Sequence, residues 1–126
     1  MQDAPSNDES LATLDANVVA QLRRLRSGDS GDLFTRLVGL FQTTSAQYAA
    51  QLRDALANQD LSFAAGLCHK LKSSAGNVGA LAFSQRAGLL EQLCIQGDAA
   101  RATQVLNELQ SGWPLLLEAL TAATHS

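Results

Sequence analysis

Phe63-Ala64-Ala65-Gly66-Leu67-Cys68-His69-Lys70-Leu71-Lys72-Ser73-Ser74-Ala75-Gly76 carries two patterns at once. At about 100° per residue, Phe63, Ala64, Leu67, Leu71 and Ser74 fall within one sector roughly 100° wide. That is an amphipathic α-helix with one buried stripe. His69 falls near roughly 240° on the same wheel, and Ala65, Lys72, Ser73 and Gly76 lie within about 60° of it. The histidine therefore points away from the stripe that packs, which argues against a core histidine. Its helical neighbours Ala65, Gly66, Ser73 and Gly76 are all small, and Lys72 is the only long charged side chain on that side. A histidine so surrounded is open to a bulky partner that brings negative charge.

The same periodicity extends in both directions. Leu14, Val18, Leu22 and Leu25 repeat at helical spacing, with Asp15 as N-cap and Gly28 as stop. A second helix is predicted from about Asp32 to Gln42. A bend is predicted at Thr43-Thr44-Ser45, because β-branched and hydroxyl side chains are weak helix formers. Periodicity resumes through Tyr48, Leu52 and Leu56 to Asn58. Asp60 caps the His69 helix, which ends near Asn77-Val78-Gly79. Ala80 to Gln96 forms the next helix, with Phe83, Ala87, Leu90 and Cys94 on one stripe. Asp98 caps the last one, and Gly112-Trp113-Pro114 is expected to break or kink it before Leu115 to Leu120. Residues 1–10 are polar and aperiodic and are expected to be a disordered lead or linker. Residues 11–124 are then an all-α, up-down helical bundle with a four-helix core and one or two additional helices. In it the His69 helix and the Glu91 helix form an antiparallel hairpin through Gly79.

Composition narrows the function. The chain has 126 residues, one domain by size. Hydrophobic residues make up 46% but aromatics only 5%, which suits a Leu/Ala-rich helical core. A net charge of −3 with no basic stripe argues against nucleic-acid binding. No apolar run approaches the roughly 18 residues that a membrane span needs, and the start shows no signal-peptide pattern. Cys68 and Cys94 are expected to be small core residues in a reducing, cytoplasmic setting. Two Cys and two His without metal spacing make no metal site. There is no Gly-rich phosphate loop, no nucleophile triad and no nucleotide-binding motif. Any activity is expected at the surface.

The stretch around His69 resembles the histidine-containing phosphotransfer (HPt) domain of bacterial phosphorelays. The resemblance rests on His69, Leu71 and Lys72, then the small residues Ser73-Ser74-Ala75, then Gly79-Ala80 opening the next helix. Upstream, Ala55-Leu56-Ala57-Asn58-Gln59-Asp60 matches the family's lead-in. Downstream, Leu90-Glu91 matches the helix that packs beside the histidine. It covers roughly residues 14 to 120. Two positions depart from the pattern. Ser73 stands where the family often has Gly, and it is small enough to keep access. Arg86 stands where an apolar residue is usual, and it either snorkels to solvent over its stem or helps bind phosphate.

The resemblance implies that His69 is a phosphoacceptor attacking through Nε2, with Glu91 holding the other ring nitrogen. Lys72, three residues on and on the same face, would support the charge of the phosphoryl group. Ala65, Gly66, Ser73 and Gly76 would let a partner approach, while Lys70 is a flanking charge. The chain would be a phosphoryl carrier without its own ATP site and with no cofactor of its own, Mg²⁺ being held by the partner. It would take a phosphoryl group from one response-regulator receiver aspartate and give it to another, and would act as a monomer. It could be free-standing or a segment of a hybrid sensor histidine kinase. Two other functions compete. A kinase dimerisation helix usually has an acidic residue after its histidine, whereas Lys70 follows here. A noncatalytic helical adaptor would need no ring of small residues around His69.

Overall fold

Aspartates start four of the helices. Asp15 Oδ1 accepts from the backbone N–H of Asn17 at 2.8 Å and of Val18 at 3.1 Å. Asp32 accepts from Thr35 at 2.7 Å, Asp60 from Phe63 at 3.3 Å and Asp98 from Arg101 at 3.1 Å. Each such cap is worth about 1 kcal/mol. The computed structural model describes residues 7–25 and 31–125. Six helices run through them: α1 (Asn7–Leu11), α2 (Ala16–Arg24), α3 (Leu33–Ala57), α4 (Leu61–Asn77), α5 (Leu81–Ile95) and α6 (Ala99–Thr124).

Three of the turns share one closure. The N–H of Asp60 bonds Ala55 O, that of Ala80 bonds Ala75 O, and that of Asp98 bonds Leu93 O, at 2.8 to 2.9 Å. Each is a six-to-one bond over a left-handed residue, the Schellman arrangement. That residue is Gly79 or Gly97 at two of the turns, but Gln59, with φ 56°, at the first. Such tight turns make α3, α4, α5 and α6 an up-down four-helix bundle, in which α3 packs on α4 and α6, and α5 packs on α4 and α6. The closest pairing is α4 with α5. The short α1 crosses α6, and α2 lies on α3.

The core follows the stripes predicted for α3 to α6, whereas the α2 stripe is only partly buried and its Leu25 is 53% exposed. Phe34, Phe83, Leu52, Leu71, Leu90, Leu109, Leu116 and Leu120 are fully buried, each worth about 1.5–3 kcal/mol in transfer free energy. Phe83 stands edge-on to both Phe41, at 6.2 Å between ring centroids, and Trp113, at 5.1 Å. This aromatic cluster ties α3, α5 and α6 together.

Three local expectations are corrected. No bend occurs at Thr43-Thr44-Ser45, because α3 runs unbroken. The Thr43 and Thr44 hydroxyls donate back to the carbonyls of Gly39 and Leu40, at 2.9 and 3.0 Å, and Ser45 is buried in the packing. These hydroxyls bond within the helix instead of competing with it. Nor does Gly112-Trp113-Pro114 end α6. Pro114 forfeits one backbone bond to Gln110, but burial of Trp113, Leu116 and Leu120 on either side carries the helix through. Gly112 is a packing residue. A Cβ there would stand 2.9 Å from Leu11 Cδ1 and 3.2 Å from Asp8 Cα, so its absence lets α1 cross.

The third correction concerns the lead. Asn7 to Ser10 belong to α1 and not to an unstructured segment. Leu11 is buried to 2% exposure, and Ser111 Oγ donates to Asp8 Oδ2 at 2.9 Å. One apolar anchor was enough to fold a stretch with no visible period. Residues 1–6 and the expected stop at Gly28 lie outside the described residues.

Candidate functional site

The turn at Gly79 fixes the register of the site. Its left-handed φ of 85° lets α4 reverse into α5, and its carbonyl accepts from Asp15 N–H at 2.8 Å, which ties the turn to α2. Counting back from this turn, three positions of α4 face three of α5. Gly76 faces Ser84, whose Oγ lies 3.5 Å from a Cβ built on the glycine. Lys72 lies against Gly88. His69 meets Glu91, Nδ1 to Oε2, at 3.2 Å. Ser84 also donates to the carbonyl oxygen of Lys72 at 2.8 Å, a further tie between the helices.

His69 and Glu91 are unequally exposed. The imidazole side chain is 66% exposed, the carboxylate only 15%. The carboxylate is thus anchored in the helix pair and the ring stands out from it. With Glu91 ionised, Nδ1 carries the proton and donates it, and Nε2 is left with its lone pair. Nε2 has no partner among the described residues. A lone pair on an exposed, oriented imidazole is a nucleophile, and the nearby carboxylate favours the positive charge the ring acquires when Nε2 forms a bond.

The small residues divide into two groups. Gly66 and Ser73 are exposed on either side of His69, and nothing lies within 4 Å of a Cβ built at Gly66. Ala65 and Gly76 are half-buried, Ala65 against the core and Gly76 against Ser84. Lys70 and Lys72 are exposed. Arg86 turns to α6, where Nη1 meets Glu108 Oε1 at 3.3 Å, and it is not part of the His69 cluster. Phe63, placed by periodicity at the edge of the apolar stripe, is 52% exposed. Ile95 is exposed at the same end of the α4–α5 pair. Neither was distinguishable in the sequence from an ordinary core residue.

Cys68 and Cys94 lie beneath the site as free, buried thiols. Burial, then the neighbouring Cys94 thiol and the Glu91 charge, push the Cys68 thiol well above its ordinary 9.0. Burial also raises Cys94, against a hydrogen bond with Cys68 that lowers it. Both stay protonated at neutral pH and act as packing groups. Among the described residues no three His, Cys, Asp or Glu side chains cluster as metal ligands. None of the helices described is long and apolar enough to cross a membrane.

The Hpt domain family model matches residues 36–123. The chain belongs to the Hpt domain family. The match spans all but the first turn of α3 and nearly all of α6, and so includes both His69 and Glu91, while α1 and α2 lie outside it. Hpt domains are phosphotransfer carriers of two-component phosphorelays, without an ATP site of their own, and receiver domains are their partners. No curated protein and no solved structure matches the chain.

Proposed function

We propose that this Hpt domain is a phosphorelay intermediate in which His69 accepts a phosphoryl group from a receiver aspartate and passes it to another. The observation that carries this is the contact between His69 Nδ1 and Glu91 Oε2 at 3.2 Å on an imidazole side chain that is 66% exposed. The lone pair of Nε2 forms the new N–P bond as the aspartyl O–P bond breaks, and the electron pair stays on the receiver's carboxylate. Nδ1–H keeps its hydrogen bond to Glu91 throughout. Passing the group on is the same step in reverse.

Lys72 offers an ammonium to a phosphoryl group of about two negative charges. At an exposed position that attraction is worth about 1 kcal/mol. Gly66 and Ser73 leave room for the partner's loops beside the ring, and Ala65 and Gly76 keep the α4–α5 edge narrow. Mg²⁺ and most of the stabilisation of the transferring group belong to the receiver. The docked pair is transient and small, about 1,200 Å². The chain works as a monomer in the cytoplasm, alone or as a segment of a hybrid sensor kinase.

The test uses two receivers. A receiver carrying labelled aspartyl phosphate is mixed with the chain, and the labelled chain is then purified and given to a second, unlabelled receiver. Label should move in both steps. Receivers that exchange label with another Hpt protein but never with this one would contradict the proposal.

A further inference from the structure

We propose that Gly88 is a positioning residue for Lys72, an inference that rests on the phosphoacceptor role of His69. A Cβ built at Gly88 would stand 3.4 Å from Lys72 Cδ, 3.6 Å from Cε and 3.8 Å from Nζ. The outer half of the lysine therefore lies over the α5 backbone at 88, where a Cβ would just touch it and a longer side chain would compete with it. Most exposed lysines extend into water and lose rotamer freedom when fixed. This one instead lays three successive atoms over the place that a Cβ at 88 would take.

The place it is held matters. Gly88 precedes Glu91 by one turn on α5, and Lys72 follows His69 by one turn on α4. The Lys72–Gly88 contact is thus the next rung after His69–Glu91. Lys72 makes no ion pair or side-chain hydrogen bond among the described residues, although Glu91 is only a turn away. An ammonium pre-positioned beside a nucleophilic ring, and not neutralised there, suits the oxygens of an incoming phosphoryl group. Position 88 is then constrained by what it must leave out. A side chain longer than that of alanine at 88 would compete with Lys72 for its place on α5.

Phosphoramidate tests this without any docking surface. The Nε2 lone pair of His69 forms the N–P bond, the donor's own N–P bond breaks, and ammonia leaves with that electron pair. Gly88→Leu and Lys72→Ala should each slow phosphorylation about threefold, the size expected for one screened charge contact. The double variant should be no slower than either single one, and Gly88→Ala should fall between wild type and Gly88→Leu. Added salt should slow the wild type more than it slows Lys72→Ala or Gly88→Leu, a response that loosened packing alone would not give. In the wild type, NMR should show a nuclear Overhauser contact between the Lys72 Hε and Gly88 Hα protons, whether or not Gly88→Leu folds. Absence of that contact, losses that add in the double variant, or a wild-type rate and salt response in folded Gly88→Leu would overturn the inference while leaving His69 as acceptor. A wild type that takes no phosphoryl group from phosphoramidate or from receivers would remove the functional proposal, and this one with it.

Discussion

In the proposed function, Glu91 decides which nitrogen of His69 is available. An unconstrained imidazole exchanges its proton between Nδ1 and Nε2, and only the form with a free Nε2 can attack outward. On that proposal the carboxylate, 15% exposed and 3.2 Å from Nδ1, holds the proton there. Glu91→Ala should slow phosphorylation of His69 about tenfold, as is typical when a partner that orients a reactive group is lost. Glu91→Gln, which can still accept the hydrogen bond, should lose less. Nitrogen-15 NMR of the ring checks the cause, because the share of the Nε2–H tautomer should rise in Glu91→Ala. An unchanged tautomer ratio and an unchanged rate would reduce Glu91 to a helix charge. At this scale much was legible in the sequence. His69, Lys72 and Glu91 sit on helices whose periods are plain, and Gly79 gave the hairpin. Gly88 was not legible, because its contribution is a missing side chain that means something only once the path of Lys72 is known.

Helix ends explain what the elements owe to single residues. Four aspartate caps and two left-handed glycines are local signals, and the sequence displays them. Gln59 takes the left-handed position of the remaining six-to-one turn, with φ 56°, where an L side chain is strained by roughly 1–2 kcal/mol. Gln59→Gly should therefore stabilise the bundle by about 0.5–1 kcal/mol, the strain relieved less the greater flexibility of glycine in the unfolded chain. Urea denaturation measures it as a higher midpoint at constant slope, and a lower midpoint would mean that the Gln59 side chain makes a contact worth more than its strain. The same scale shows where local reasoning fails. Thr43-Thr44-Ser45 and Pro114 are poor helix residues by propensity. Buried Phe41, Ser45 and Leu52 around the first, and Trp113 and Leu116 around the second, override that propensity. Such overrides depend on what packs from other helices, which no local window contains. The same holds for α1, whose anchor Leu11 finds its partner at Gly112, about a hundred residues away.

For the whole molecule, α4–α5 packing is both the scaffold of the site and part of the core. Cys68 adjoins His69 in sequence but points inward, fully buried. Its thiol is raised above the ordinary 9.0 chiefly by that burial. The folded state thus keeps a proton that the unfolded chain loses above pH 9. Stability from this group is complete below pH 9 and falls as pH rises further, by at most about 1.4 kcal/mol per pH unit. The melting temperature of the wild type should therefore drop more steeply between pH 9 and 10.5 than that of Cys68→Ala, whatever the two values are at pH 7. Parallel slopes would mean that the thiol ionises within the fold.

The account as a whole depends on one bond, that between phosphorus and His69 Nε2. The chain supplies its own control, because its second histidine, His125, is also exposed, at the C-terminal end of α6, without a carboxylate within bonding distance among the described residues. Proton–phosphorus correlation NMR on the phosphorylated chain reads the bonded nitrogen directly. Phosphorus coupled through Nε2 of His69, with His125 unmodified and no signal in His69→Gln of unchanged helicity, is the predicted result. Phosphorus on Nδ1, on His125, or persisting in His69→Gln would contradict it.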